Sequence, residues 1–360
     1  MDSGIDFAKV PHYSTVQTPD SPYFPIGILD TPEGRFGVLR IALFSQFEFP
    51  EMCEEQVAAM KLSPTAPCEG GCAGPLERET ANRVTAAFER QLRQLESKRI
   101  AALMVDITGN GGGDNWVEVA MRPLTAHALK EPRSGYIRHE HWVTQLSDKL
   151  DVVEADARRA RGDYQKQPVD AAKTLRSALD EARKPCVRDD MWNDQLPGCS
   201  LVVSEPPLYS SGLLAYARPG SRPPDNLSCC PLFYPVRFTY EEGTYSGPLF
   251  ILVDRETASA AEEFAAVLAD NQAAVVVGEP TYGAGCGYTN GGILTALPHS
   301  GAVVRMPDCV RFRADGSNEV AGITPDVLLP WRSNDGPLQR AKRVWDGIPQ
   351  MLRQANARIR

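Results

Sequence analysis

The chain has 360 residues, of which 42% are hydrophobic and 23% charged, and its formal net charge is −8. This composition is typical of a globular protein and excludes a mainly disordered or fibrous chain. The balance of 46 acidic against 38 basic residues lacks the basic excess of a duplex nucleic-acid binder. We therefore expect no nucleic-acid partner. We also expect no membrane span, since no apolar run approaches the roughly 18–20 residues that cross a bilayer.

Nine cysteines are the unusual feature of this composition. They lack the CxxC and Cys/His spacings of a zinc site, so we expect no metal and no other cofactor. Disulfides are the alternative, with Cys68–Cys72 and Cys186–Cys199 as plausible pairs that the spacing does not assign. Cysteine usage of this kind favours a periplasmic or secreted protein, although no signal peptide is visible at the start of the chain.

The first half of the chain alternates strand and helix patterns. Residues 1–35 are rich in Pro, Asp, Ser and Gly, which predicts an irregular lead-in. Branched and aromatic residues predict a strand over 36–44. Apolar residues recur in steps of three and four over 77–98, which predicts an amphipathic helix. A buried strand is predicted at 100–105, and a further helix over about 115–130.

The second half begins with a change of composition. Residues 144–184 are charged and helical in pattern, with a break at Pro168, and are predicted to form a helical insertion. Residues 185–247 are Cys- and Pro-rich and are predicted to be loops. Regular structure then returns as a strand, a helix, a strand, a hairpin and a last helix, at 248–253, 257–269, 273–277, 291–306 and 337–355. Because strand–helix–strand order occurs twice, we predict an α/β core with right-handed crossovers.

Two segments at strand-to-helix junctions are candidates for chemistry. In Gly109-Asn-Gly-Gly-Gly113, free backbone N–H groups before a helix would stabilise an anion, and a flexible turn is the alternative. Its spacing excludes a P-loop. In Thr257-Ala-Ser-Ala-Ala-Glu262, the serine and glutamate fit a capping box. The small neighbours of Ser259 would also leave it accessible to a substrate carbonyl, with its own N–H directed at the oxyanion.

These segments, together with their surroundings, resemble the tail-specific protease family, also called C-terminal processing peptidases. The matching pieces are the strand at 36–44, DITGNGGGD at 106–114, LVDRETASAAE at 252–262, VVVGEPTYGAG at 275–285 and GITPDV at 322–327. The resemblance implies a crotonase-like α/β spiral core over 36–335, carrying the helical insertion and followed by a C-terminal helix over 336–360. It implies a serine endopeptidase that acts on protein or peptide substrates.

The resemblance also implies roles for particular residues. Ser259, three residues before the glutamate of S-A-A-E, would be the nucleophile. The N–H group of Gly112 or Gly113 would join that of Ser259 in the oxyanion hole. The best-known branch uses a lysine within G-K-G, but here Ala284 occupies that position. A Ser–Lys dyad is therefore not available in this part of the chain.

The chain is closer to the tricorn-like branch, which uses serine, histidine and glutamate. Glu319 lies three residues before the GITPD ending, where that branch carries a glutamate, and would orient the imidazole. Among five histidines, His12 is favoured because that branch has its histidine well before the serine. The alternative for His12 is an exposed tail residue. The other four are interpreted as surface or packing residues, with metal binding as the alternative for His139 and His141.

Two further functions stay open from the sequence. A catalytically silent peptide-binding member would keep the fold and the groove but lack a base, without which a serine is a poor nucleophile. A crotonase-type acyl-CoA enzyme would use the same backbone oxyanion hole, although no basic cluster for a nucleotide tail is visible. The lead before the core is also short for the family, so a fragment or a naturally short form is a further expectation.

Overall fold

The computed structural model describes residues 5–63, 65, 68, 71–184, 202–221, 227, 232–286, 295–304, 307–332 and 334–358. The strands are β1 (Tyr13–Val16), β2 (Ile26–Thr31), β3 (Gly34–Arg40), β4 (Ala102–Asp106), β5 (Arg133–Tyr136), β6 (Leu208–Tyr209), β7 (Leu249–Val253), β8 (Val275–Gly278), β9 (Thr295–Ala296), β10 (Val303–Val304), β11 (Cys309–Phe312) and β12 (Val327–Leu328). The helices are α1 (Pro50–Ala59), α2 (Ala73–Glu96), α3 (Val117–Ala120), α4 (Glu140–Arg159), α5 (Lys166–Ala182), α6 (Ala260–Asp270) and α7 (Pro337–Arg358).

These elements form two compact units. The first unit comprises Met1–Leu129, Phe238–Gly283 and Gly322–Arg360, and the second comprises Lys130–Arg237 and Ala284–Ala321. The first unit is built on a seven-stranded sheet in the order β1-β2-β3-β4-β7-β8-β12. Within this sheet, β3, β4, β7, β8 and β12 are parallel, and β1 and β2 add an antiparallel edge. The α/β class predicted from the sequence is confirmed as a mixed α/β fold.

The central strands are buried on both faces, as continuous apolar runs predict for parallel strands. Alternate side chains point to opposite faces. On one face Met104, Phe250 and Val277 belong to a buried cluster with Val344 and Ile348 of α7. Helix α2 covers the other face, where its Leu95 approaches Gly37 of β3. Helices on both faces leave the ends of the strands as the places where loops meet solvent.

An aromatic cluster supports the segment that follows β4. Trp116 is 1% exposed, and its ring centroid lies 5.8 Å from that of Phe24, 6.0 Å from Phe44 and 6.1 Å from Phe88. Its indole N–H donates to Thr85 Oγ1 of α2 at 3.0 Å. Since Trp116 comes three residues after Gly113, this cluster fixes one end of the glycine-rich segment to the core.

The second unit has its own core. Its sheet has the order β11-β5-β6, and β9 pairs with β10 in an antiparallel hairpin. Helices α4 and α5 pack as a pair, and Trp142, Leu146 and Leu175 belong to the cluster between them and the sheet. Helix α5 lies within the segment 144–184 that the sequence predicts as a helical insertion, and α4 begins at Glu140, before that segment.

Three local predictions differ from the structure. The lead-in at 1–35 contains β1 and β2, which join the sheet through backbone pairing, although the half-exposed β1 has no strong apolar pattern. The helix expected over 115–130 shortens to α3, and a 3-10 turn that includes Pro123 follows it. The break in the helical insertion falls at 160–165, because Pro168 lies in the first turn of α5, where proline is tolerated.

Two disulfides lie among the described residues, Cys68–Cys72 and Cys286–Cys309. The other pair that we considered, Cys186–Cys199, lies outside the described residues. Disulfides persist in oxidising compartments, so the two bonds are compatible with a location outside the cytoplasm. Within the described ranges, no helix combines the length and the apolar character that a bilayer span requires.

The aromatic cluster gives a prediction about stability. We expect Trp116→Ala to lower the free energy of unfolding by about 3–5 kcal/mol, because it removes a large buried side chain and leaves a cavity. Trp116→Phe keeps most of the ring contacts and should lose less. Urea denaturation followed by circular dichroism measures both values. A loss below about 1 kcal/mol for Trp116→Ala would contradict the support that we assign to this cluster.

Candidate active site

The candidate site lies at the carboxyl edge of four neighbouring parallel strands of the first unit. In the order β3-β4-β7-β8, each strand is followed by one segment of the site. These segments are 45–47, 109–114, 254–259 and 279–283. In open α/β sheets the loops at this edge form the usual binding crevice, so the topology assembles segments that are far apart in the sequence.

Ser259 occupies a sharp turn between β7 and α6. Its backbone angles are φ 55° and ψ −119°, in the region that non-glycine residues rarely adopt, where the strain costs about 1–3 kcal/mol. The neighbouring residues 258, 260 and 261 are all alanine, and the Ser259 side chain is half-buried. A strained strand-to-helix turn of this kind raises the serine side chain above the end of the sheet.

The carboxylate of Glu262 holds this turn in place. Glu262 is fully buried, and its Oε2 accepts the backbone N–H of Ser259 at 3.0 Å. Its Oε1 accepts the Thr281 hydroxyl and the Gly283 N–H, both at 2.6 Å. The Thr281 hydroxyl also accepts the N–H of Ile323 at 2.7 Å. The predicted capping interaction therefore extends into a buried clamp that joins three segments.

A second buried acid joins the glycine-rich segment to the serine turn. Asp254 is 2% exposed, and its Oδ1 accepts the N–H groups of Gly109 at 2.9 Å and Thr257 at 3.1 Å. Asn110, between the glycines, is fully buried and donates to the Ile41 carbonyl at 3.1 Å. The backbone carbonyl of Asn110 accepts the N–H of Ala258 at 3.0 Å.

Glycine is required at two positions of this segment. Gly112 has φ +108°, and a Cβ atom there would lie 2.8 Å from the Cβ of Ser259 and 2.9 Å from the backbone N of Ala260. Gly113 has φ +144°, and a Cβ atom there would overlap the carbonyl of Phe44. The absence of a side chain at 112 therefore lets the glycine segment pack directly against the serine turn.

The residue after the glycines is tied to the segment that follows β3. Asp114 Oδ2 accepts the hydroxyl of Ser45 at 2.7 Å, and its Oδ1 accepts the N–H of Trp116 at 3.0 Å. Burial raises the pKa of Asp114 above its usual value, and these two hydrogen bonds offset part of that rise. Phe44 adds two backbone bonds to the same place, donating to Gly112 and accepting from Asp114.

The backbone N–H groups that the sequence suggests as oxyanion donors differ in whether they already have an acceptor. The N–H of Ser259 already donates to Glu262, and the N–H of Gly112 donates to Asn110 Oδ1 at 2.9 Å. Neither is available without breaking a bond. Within the described part of the chain, the N–H groups of Gly113 and Ala260 have no acceptor. Of the N–H groups that the sequence suggests as oxyanion donors, that of Gly113 is therefore the one without an acceptor among the described residues.

Glu319 is engaged in a buried ion pair within the second unit. It is 1% exposed, and its two oxygens accept from Arg311 at 2.7 and 2.9 Å. Arg311 also donates to the Gly285 carbonyl at 3.0 Å. The sequence predicts that Glu319 orients a histidine. In the structure, its carboxylate already forms an ion pair with the Arg311 guanidinium.

The structure does not bring His12 to Ser259. His12 precedes β1, its carbonyl accepts the Asp30 N–H at 3.1 Å, and its ring stacks on Trp345 of α7 with centroids 6.1 Å apart. The strand register puts this position level with the amino ends of the parallel strands, whereas Ser259 follows a carboxyl end. Strand length and spacing separate the two residues by about 25 Å.

The other histidines have different surroundings. His127 of the first unit lines a cavity of about 550 Å³ together with Leu249 and Val275, which begin β7 and β8. That cavity is at the opposite edge of the sheet from Ser259. In the second unit, His139 and His141 face each other with their Nδ1 atoms 2.7 Å apart, and His299 is exposed. The Nε2 atom of His141 lies 2.8 Å from Asp308 Oδ2.

Sequence reasoning missed the residues that brace the turn. Thr281, Asn110 and Asp254 are buried polar residues whose partners come from neighbouring strands. Only Asn110 had a local signal, since Asn between glycines is typical of a turn. Among the residues that the structure describes, no group of three or more His, Cys, Asp or Glu side chains is arranged to hold a metal ion.

The contact between the glycine segment and the serine turn is testable with two neighbouring glycines. We expect Gly112→Ala to lower the free energy of unfolding by at least about 2 kcal/mol, because the new Cβ overlaps the turn and the φ angle is unfavourable. Gly111→Ala is the matched control, since a Cβ there meets nothing within 4 Å, and it should stay within about 0.5 kcal/mol of wild type. Equal effects of the two variants in urea denaturation would contradict this packing.

Asp114 gives a prediction about pH. A carboxyl whose pKa is raised by folding contributes stability below the pKa of the unfolded chain, about 3.9, and loses it as the pH rises through the folded pKa. Asp114→Asn should therefore become more favourable relative to wild type as the pH rises from about 3.5 to 7. Unfolding free energies measured across this range test the trend.

Asp315 is the control of opposite sign. Hydrogen bonds from the Ser317 hydroxyl and N–H lower the pKa of the exposed Asp315. Its contribution is present above the unfolded pKa and disappears as the pH falls. Asp315→Asn should thus become less favourable relative to wild type as the pH rises. Parallel pH trends in the two variants would refute the assignment for Asp114.

Comparisons with known proteins find relatives that this chain matches over part of their length. It is 38% identical over 87 residues to carboxyl-terminal-processing peptidase 2, chloroplastic, of Arabidopsis thaliana, covering 24% of this chain and 16% of that protein. It is 26% identical over 251 residues to an uncharacterized protein of Chlamydia muridarum (strain MoPn / Nigg), covering 67% of this chain and 36% of that protein. The chain thus spans well under two thirds of the length of these relatives.

The fold has a counterpart among solved structures. Mature CPAF superposes with a TM-score of 0.57 at 20% identity, covering 92% of this chain and 54% of that one. At this identity the likeness concerns the fold alone. A family model described as Peptidase family S41 matches residues 36–329, which include all four segments of the candidate site. The predicted resemblance to C-terminal processing peptidases is confirmed, and the chain belongs to peptidase family S41.

Proposed function

We propose that the chain is a serine endopeptidase that hydrolyses peptide bonds through an acyl-enzyme on Ser259. The observation that carries the proposal is the Ser259 turn itself, a strained non-glycine conformation held by Glu262 and packed against Gly112. Strain of this size persists only where the surrounding structure enforces it, and it is common at catalytic residues. Membership of peptidase family S41 supports a peptide as the substrate.

The backbone around Ser259 suits an acyl transfer. In the proposed reaction the Ser259 Oγ attacks the scissile carbonyl, and the amine leaves to give an ester that water then hydrolyses. The developing oxyanion would receive hydrogen bonds from the N–H groups of Ala260 and Gly113. Removing one preorganised donor from an oxyanion hole typically costs about 3–4 kcal/mol, and the N–H of the residue after the nucleophile is a recurring donor.

The branch of the family predicts which type of residue accepts the Ser259 proton. The sequence leaves no lysine at Ala284 for a Ser–Lys dyad, so the tricorn-like Ser–His–Glu arrangement stays our prediction for the chemistry. His12 does not fit it, because it stacks on Trp345 far from Ser259. We propose instead to identify the base by measuring pH–rate profiles of the five single His→Ala variants. The essential base is the histidine whose replacement removes the rise of kcat/KM with pH.

A catalytically silent, peptide-binding member is the second candidate. It is favoured by the absence of His12 and His127 from the neighbourhood of Ser259 and by the pairing of Glu319 with Arg311. A serine without a base is a poor nucleophile at neutral pH. Such a protein would retain the turn, the glycine segment and the groove, and would bind peptides without turnover.

Two finer interpretations accompany the proposal. We interpret the first unit as a crotonase-like spiral core, which the fold class and the likeness to mature CPAF support. We also propose a periplasmic or secreted location, because the two disulfides need an oxidising compartment to persist.

Replacement of Ser259 tests the proposal directly. We expect the wild-type chain to cleave unfolded casein and to be labelled by a serine-directed fluorophosphonate, and Ser259→Ala to lose both activities by at least about 10³-fold. Ser97→Ala, at the solvent-exposed end of α2, is the matched control and should behave as wild type. A wild-type chain that binds casein peptides but neither cleaves nor takes label establishes the silent alternative instead.

A further inference from the structure

Two aromatic side chains near the candidate site are unusually exposed. Among the large apolar residues that the structure describes, Tyr282 and Phe47 are the most exposed, at 72% and 64%. Single exposed apolar residues are common on protein surfaces and need no function. These two differ because both project from the segments that follow β8 and β3, at the edge of the sheet that carries Ser259.

The backbone of Tyr282 is fixed to the serine turn. Its N–H donates to the Thr257 carbonyl at 3.0 Å. The residues on either side of it, Thr281 and Gly283, both donate to the buried carboxylate of Glu262. Two backbone N–H groups and the Thr281 hydroxyl therefore hold this segment, and the Tyr282 ring is exposed on a fixed support.

The backbone of Phe47 is fixed to the glycine segment in a similar way. Its N–H donates to Ser45 Oγ at 3.2 Å, and the same hydroxyl donates to Asp114 Oδ2 at 2.7 Å. Phe47 is the middle residue of a short 3-10 helix, Gln46–Glu48. Its ring is thus also exposed on a fixed support, next to the glycines that pack on Ser259.

The order of the strands sets the spacing of these rings along the site. Phe47 follows β3, the glycine segment follows β4, Ser259 follows β7 and Tyr282 follows β8. Neighbouring strands are about 4.8 Å apart, and an extended peptide advances about 3.3 Å per residue. Tyr282 is therefore one or two peptide residues from Ser259 on one side, and Phe47 about three residues on the other.

We propose that Phe47 and Tyr282 are specificity determinants that contact bulky apolar side chains of an extended peptide on opposite sides of its scissile bond. The inference rests on the proposed function of Ser259 and names its substrate class. Aromatic rings give a large apolar contact area and have few rotatable bonds to immobilise. The substrate is thus an unfolded segment with one apolar residue beside the cleaved bond and a second about three residues beyond it on the other side.

A positional peptide series tests the assignment. Each peptide carries Leu or Ser at one position around a single cleavable bond, and kcat/KM is measured for wild type, Phe47→Ser and Tyr282→Ser. We expect Tyr282→Ser to reduce the preference for Leu over Ser about tenfold beside the scissile bond, and Phe47→Ser to do so only at the distant position. Val303→Ser, which changes a residue with 58% exposure in the second unit, should leave both preferences unchanged.

Fluorophosphonate labelling separates failure of this inference from failure of the proposed function. If Ser259 is labelled but both variants keep the wild-type ranking of peptides, the specificity assignment is overturned and the peptidase proposal stands. If there is neither label nor cleavage, the peptidase proposal fails.

Peptide binding tests the inference independently of catalysis. Fluorescence anisotropy measures the affinity of Ser259→Ala for a peptide with Leu at both positions and for its Ser-substituted counterpart. The Leu peptide should bind about tenfold more tightly, and this advantage should fall when Phe47→Ser or Tyr282→Ser is added. Equal affinity for the two peptides, or an advantage that survives both substitutions, overturns the inference.

Discussion

The carboxylate of Glu262 is the interaction on which the candidate site depends. It is fully buried, and an ionised carboxylate in the interior is costly unless hydrogen bonds compensate for its lost hydration. Here the compensating donors come from Ser259, Thr281 and Gly283, which belong to two different loops. Because the buried carboxyl oxygens require these donors, Glu262 holds the strained serine turn and the loop after β8 in one fixed arrangement.

The fixed position of the serine turn also explains why glycines are needed in the segment that packs against it. Once Glu262 has fixed Ser259, the glycine segment approaches so closely that even a methyl group at Gly112 would overlap it. Asp254 and Asn110 then satisfy the backbone N–H groups of Gly109 and Gly112, which would otherwise be buried without acceptors. Two buried acids and one amide thus position three loops that parallel strands only bring near each other.

The parts that could be predicted from the sequence are those with short-range signals. Ser259 and Glu262 are three residues apart, and consecutive glycines announce a close approach, so the turn and its partner segment were recognisable. The bond from the Ser259 N–H to Glu262 is part of the predicted capping box, whereas the contacts of Glu262 with Thr281 and Gly283 were not recognisable, because those residues follow a different strand. The stacking of His12 on Trp345 depends on how the start of the chain packs against α7, which the local sequence does not encode. The pairing of Glu319 with Arg311, eight residues away, depends on the conformation of the short connection between them.

The ion pair of Glu319 with Arg311 bears on the proposed proton transfer but not on peptide binding. Arg311 takes one lone pair on each oxygen, which leaves room for a further donor. It also neutralises the charge, so an imidazolium beside Glu319 would gain less from it than from an unpaired carboxylate. Breaking the buried pair would cost about 3–5 kcal/mol. In the proposed function, peptide binding and oxyanion stabilisation use the turn held by Glu262. Turnover would also require a base, and the acid that the sequence predicts to orient it, Glu319, is already paired with Arg311.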